Sequence, residues 1–177
     1  MCNIRSEIVQ KGYPSLHTKA EPVREDEFGT PELLAIIAAM KKALAGEEDG
    51  AAIAAPQIGI SKRIFVIAEN IFGPTHPKYG SKDPHLVFIN PEITKLSKKT
   101  AIMDEGCLSV RGTYGNVRRA VGATISARDE YGVPFIRGAG GLLAQVFQHE
   151  TDHLNGVLFI DRALETWDAE YPKRKSE

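Results

Sequence analysis

Cysteine is scarce in this chain. Two in 177 residues, Cys2 and Cys107, cannot build a disulfide framework, and a reducing compartment is the simpler setting. Neither charge is in excess: 22 Lys plus Arg against 23 Asp plus Glu leave a formal net charge of -1, which removes the electrostatic case for a dedicated nucleic-acid binder. No apolar run approaches the ~20 residues that span a bilayer. The opening stretch carries several charges and no long apolar segment, which argues against a secretory signal. Internal repeats and low-complexity tracts are absent. What is present is ordinary globular composition, 42% hydrophobic and 25% charged. We therefore expect one soluble, intracellular domain over residues 1–177, long enough to bury roughly two-thirds of its unfolded surface.

Residues 4–23 mix Gly12, Pro14 and Pro22 with isolated apolar residues and read as irregular, with one short strand. Thr30-Pro31-Glu32 then looks like a helix start, with a hydroxyl cap, proline in the first turn and an acid at the positive dipole end. Leu33, Leu34, Ile36, Ile37, Met40 and Leu44 follow at helical spacing, and Gly46 is the stop. Residues 63–67 and 86–89 are short apolar runs of β character. The loop of residues 70–85 between them holds His76 and His85, which read as plain solvated or packed residues. Residues 117–128 alternate, and Glu130-Tyr131-Gly132 turns the chain into a hairpin with 133–136. A second helix runs from about 140 to 154 and ends at Asn155-Gly156. Sheet with two helices far apart in sequence predicts the α+β class.

Three segments carry chemistry. On the second helix, His149-Glu150-Thr151-Asp152-His153 places two imidazoles four residues apart, so both reach one ion from adjacent turns while Glu150 stands beside it. A catalytic ion usually takes three protein ligands and leaves one position open. A histidine six residues past the second would supply the third ligand of a metzincin, but Phe159 stands there. A downstream glutamate, as in thermolysin-like enzymes, is poorly served by Glu165, Glu170 and Glu177. The search therefore moves upstream, to Glu105-Gly106-Cys107-Leu108-Ser109. Cys107 there reads as a small buried hydrophobe, a nucleophile paired with histidine, or a thiolate captured by the ion. The third segment, residues 50–59, is rich in small residues and lacks any phosphate-loop pattern. It reads either as a tight turn or as the support for Gln57, whose amide both donates and accepts.

Taken in order, G-x-x-I-A-A-P-Q-I-G, E-G-C-L-S and Q-H-E-T-D-H-L-N-G resemble the three signature motifs of the peptide deformylases. The resemblance implies an α+β fold of small antiparallel sheets packed around the central motif helix, plus the N-terminal helix. It implies one divalent metal ion on Cys107, His149 and His153: usually Fe²⁺, with Zn²⁺, Ni²⁺ or Co²⁺ as substitutes. Glu150 would be the general base, and the Gln57 amide and Leu108 N–H the oxyanion donors. Backbone at Ile53, Gly106 and Leu108 would align the peptide as an added strand, and Glu105 with Arg119 would orient ligands from behind. The alternative for that pair is a surface salt bridge of little worth. The implied reaction is removal of the N-formyl group from the methionine of newly made proteins, in the cytoplasm, with no stable nucleic-acid partner and no membrane.

Two positions depart from the family pattern: Ala52 replaces a glycine, and Arg111 stands where proline is common. The first is expected to narrow the backbone channel or shift the loop, the second to change the conformation of the pocket-lining loop. Rival readings are an endopeptidase of the same helix motif and an inactive metal-binding homologue. The C-terminal stretch from Trp167 to Glu177, ending Lys173-Arg174-Lys175, reads as a frayed, solvated tail, with a transient touch on ribosomal RNA as its alternative.

Overall fold

The computed structural model describes residues 4, 7–68, 71 and 87–169. Helix α1 spans Pro31–Ala45, with the Thr30 hydroxyl accepting from Leu33 N–H at its start and Gly46 at its end. Helix α2 spans Gly141–Leu154, and Gly156, at φ 74°, turns the chain away after it. Eight strands complete the fold: β1 (Ala52–Ala54), β2 (Ile64–Ile67), β3 (Val87–Leu96), β4 (Thr100–Gly106), β5 (Thr113–Ala120), β6 (Gly122–Arg128), β7 (Pro134–Gly140) and β8 (Glu165–Asp168). They form two antiparallel sheets, ordered β1-β2-β3-β6-β7 and β4-β5-β8.

The inner strands are apolar on both faces because a helix covers each side. Ile53, Ile64, Val66, Val87 and Ile89 pack with Leu33, Ile37, Met40 and Leu44 of α1. Their neighbours Ala52, Ala54, Phe65, Ile67 and Phe88 point the other way, onto Leu143, Ala144, Val146 and Phe147 of α2. Phe65, Phe88 and Phe147 meet there, with ring centroids 4.6 Å apart for the first pair and 5.4 Å for Phe88–Phe147. Fully burying each ring contributes about 2–3 kcal/mol. A third cluster of Val9, Leu16, Cys107, Val110, Val117, Leu158 and Phe159 joins the second sheet to the N-terminal segment and to the chain leaving α2. This is the expected α+β arrangement, with α2 against the large sheet and touching β5 of the small one.

Three local expectations change. The strand expected within 4–23 is replaced by a 3-10 turn at Pro14–His17 and an isolated bridge from Glu21 to Lys62, since each proline removes a ladder donor. The alternating stretch 117–128 is two strands in different sheets, divided at Val121. Trp167 belongs to β8, paired with Tyr114 of β5, and not to a frayed tail. Cys2, His76, His85 and Lys173-Arg174-Lys175 lie outside the described residues.

Candidate metal centre and cleft

Cys107 follows the end of β4, and His149 and His153 project from one face of α2. Their donor atoms all lie within 4.8 Å of one another. Cys107 Sγ is 3.3 Å from His153 Nε2, and the two Nε2 atoms are 3.2 Å apart. Tetrahedral coordination at bond lengths of about 2.0–2.3 Å separates neighbouring donors by about 3.3–3.6 Å, close to the two edges that meet at His153.

The surroundings fix which atoms face inward. His149 Nδ1 donates to Glu105 Oε2 at 2.9 Å, which turns Nε2 towards the triangle. Glu105 also receives Arg119 through a two-pronged contact, Nε at 2.7 Å and Nη2 at 3.0 Å, and Arg119 reaches Asp152 Oδ2 at 2.6 Å. The Glu105 and Arg119 side chains are only 2% and 5% exposed, so this is an interior ion pair and not a surface one. Asp152 takes a further bond from Arg162 at 2.9 Å. Burial alone would push the Glu105 carboxyl up, but hydrogen bonds from His149 and Arg119 outweigh it and hold it at about 2. Burial lowers His149 too, yet the Cys107 sulfur and Glu105 outweigh it and favour positive charge there, while burial keeps His153 well below its usual value.

Glu150 is buried beside the triangle, and its Oε2 has no hydrogen-bond partner among the described residues. Burial raises this carboxyl to about 7, where both protonation states are populated near neutrality. Gln57 lines the same cavity as Glu150, from the turn after β1. Its Oε1 accepts from Ala54 N–H at 2.8 Å, which turns Nε2 towards Ser109 Oγ (3.2 Å) and Cys107 Sγ (3.6 Å).

These groups line a cavity of about 230 Å³ together with Gly50, Ala51, Ala52, Gly106, Leu108, Tyr114, Leu142, Gln145 and Val146. Two of its walls are strand edges that are unpaired among the described residues, β1 of the large sheet and β4 of the small one, and α2 supplies another. Ile53, expected at the peptide-binding edge, is fully buried and is not among the lining residues. The strand register gives the reason. Ala68 N–H bonds to Ala51 C=O, so 51↔68 and, two residues on, Ile53↔Val66 are the hydrogen-bonded pairs. Ala52 and Ala54 therefore present their backbone groups to the open edge. Gln57 takes the Ala54 N–H, which leaves Ala52 facing the cleft. Ala52 also packs into the α2-side cluster.

Gly106 has a steric requirement: a methyl there would sit 2.8 Å from Tyr114 Cε1. Arg111 makes a forked contact with the buried Glu47 at 2.8 and 3.0 Å, pinning the loop after Leu108 to the end of α1. Sequence reasoning did not single out Tyr114, Gln145 or Asp152 for the site, and took Ala52 only as a departure from the family pattern. Only Asp152, lying between the two histidines, carried a signal that could have been used.

The polypeptide deformylase family profile matches residues 5–167. The chain belongs to the polypeptide deformylase family. A peptide deformylase of Thermosynechococcus vestitus is 47% identical over 114 residues, 64% of this chain and 57% of that protein. The chain thus spans little more than half the length of that relative. A peptide deformylase of Halothermothrix orenii is 40% identical over 158 residues, 89% of this chain and 93% of its own length. Among solved structures, the class I type b peptide deformylase of Acinetobacter baumannii with Met-Ala-Ser bound superposes with a TM-score of 0.76 at 33% identity, covering 88% of this chain and 96% of that one. Deformylases are metal-dependent, and Cys107, His149 and His153 form a group that can hold the ion. Among the described residues no helix is long and apolar enough to cross a membrane.

Proposed function

We propose that this chain is a metal-dependent deformylase. It hydrolyses the N-formyl group of N-formylmethionyl peptides and releases formate. The observation that carries the reading is the convergence of a cysteine–histidine–histidine triangle, an unpartnered buried carboxylate and an aimed amide donor at the inner end of a cleft between two open strand edges.

Cys107, His149 and His153 would hold one divalent ion. Fe²⁺ is our assignment, and Zn²⁺, Ni²⁺ or Co²⁺ suit the same donors. When bound, such an ion supplies Lewis acidity and makes water acidic enough to yield a nucleophile at neutral pH. The chain's own residues do the rest. Ala52 on one wall and Gly106 with Leu108 on the other align the peptide as an inserted strand, a backbone mode that tolerates varied sequence. Gln57 Nε2 and Leu108 N–H donate to the oxygen that becomes negative as water attacks the formyl carbon. Glu150 Oε2 takes a proton from that water and returns it to the departing amine as the carbon–nitrogen bond breaks. Glu105, locked by Arg119, keeps His149 in the tautomer that presents Nε2. The Met-Ala-Ser complex of the Acinetobacter relative supports a peptide of this kind in the cleft. The enzyme would meet its substrates in the cytoplasm, as nascent chains, in transient contact with the ribosome.

The test is formate release from formyl-Met-Ala-Ser, with unblocked Met-Ala-Ser as the peptidase control. The Glu150→Gln variant should retain its metal by elemental analysis and lose roughly 10²–10⁴ in kcat. Cleavage of the unblocked peptide, or undiminished turnover in the variant, overturns the assignment.

A further inference from the structure

The N-terminal segment touches the site from outside the cleft. Val9 N–H donates to the Gln57 carbonyl at 2.8 Å, and the neighbouring Gln10 Nε2 donates to the Leu108 carbonyl at 3.2 Å. Gln57 and the Leu108–Ser109 peptide also donate to the Cys107 sulfur: Gln57 Nε2 at 3.6 Å and Ser109 N–H at 3.4 Å.

The peptide geometry makes the second link specific. Val110 N–H closes a turn onto the Cys107 carbonyl at 2.9 Å, so the Leu108–Ser109 amide is the central plane of that turn. The central plane is the one that flips when a turn changes type. Here its oxygen is held by Gln10 and its N–H by the sulfur, at opposite ends of one rigid unit. A donor on the carbonyl end also polarises the amide, which strengthens its N–H as a donor.

We infer that Gln10 is a positioning residue for the thiolate ligand. By bonding the Leu108 carbonyl it holds the Leu108–Ser109 peptide in the orientation that places Ser109 N–H on Cys107 Sγ. The inference rests on Cys107 as a metal ligand, as proposed above. Its consequence is electronic: a thiolate that accepts this bond gives less charge to the ion, which stays a stronger Lewis acid.

Gln10 is exposed, so replacing it leaves no core cavity. Gln10→Met keeps the length and removes the donor, whereas Gln10→Lys keeps a donor. In the Zn²⁺-loaded protein, Gln10→Met should move the Ser109 amide proton resonance upfield. In the Co²⁺-loaded protein it should shift the sulfur-to-cobalt absorption to lower energy, because the sulfur electrons are less stabilised. Gln10→Lys should resemble the unsubstituted protein in both. If Gln10→Met leaves both signals in place while the protein still melts cooperatively, the inference is wrong. Absence of any sulfur-to-cobalt band in the unsubstituted protein would instead remove Cys107 from the ligand set, and the Ser109 resonance of the metal-free protein would still report on Gln10.

Discussion

Replacing Glu105 with glutamine tests the support beneath the metal centre. The carboxylate accepts two bonds from Arg119 and one from His149, at 2.7, 3.0 and 2.9 Å, with the ion-paired side chains 2% and 5% exposed. Solvent does not screen a pair this deep, so removing one member leaves Arg119 with Asp152 alone and a glutamine NH₂ facing a donor. Breaking a buried pair costs about 3–5 kcal/mol. For a domain of this size each kcal/mol moves the melting temperature by about 2–4 °C, so a fall of roughly 6–20 °C is expected. His149 also loses the partner that fixes its tautomer, which should weaken metal binding by about 10–100-fold. The assay is thermal melting of the metal-free protein followed by chelator competition for Zn²⁺. The order matters, because a stability loss seen only with metal bound would show that Glu105 acts on the ion alone. A metal-free melting temperature within about 2 °C of the unsubstituted protein, with unchanged Zn²⁺ affinity, would refute the reasoning.

Other outcomes follow from the same geometry. Gln57→Leu removes the donor aimed into the cleft and should lower kcat by about 10²–10³ with metal content unchanged; it also strands the Ala54 N–H, so the melting temperature should fall as well. Gly106→Ala forces the Tyr114 ring to move, at a cost of about 1–3 kcal/mol, and adding Tyr114→Ala should restore most of the lost melting temperature. Glu27 accepts Arg24 N–H and the Lys62 ammonium, which hold its carboxyl below the usual 4.5. Its folded value is depressed, so its contribution to stability is full above 4.5 and is lost as pH falls through the lower folded value. Following the Glu27 carboxyl carbon by NMR should show that lower midpoint, and Lys62→Met should bring it part of the way back.

Local signals settled much of this protein in advance. Thr30-Pro31 and Gly46 bracket α1 because capping and φ restriction act within a turn. The two histidines share a face of α2 because helical geometry alone puts residues four apart together. The motif order was enough to name the family. Tertiary structure decided what depends on pairing between distant segments. The apolar runs of β2 and β3 revealed buried strands but not which face met which helix, since alternation vanishes when both faces are covered. Ala52, and not Ile53, turns its backbone groups to the cleft because the register against β2, not residue type, chooses which backbone groups reach an open edge. Val121 divides one alternating stretch between two sheets, and β8 pairs with β5, through partners that local sequence cannot indicate. The bonds from Val9 and Gln10 to residues about 50 and 98 positions away exist only once the chain has closed on itself, and no periodicity foretells them.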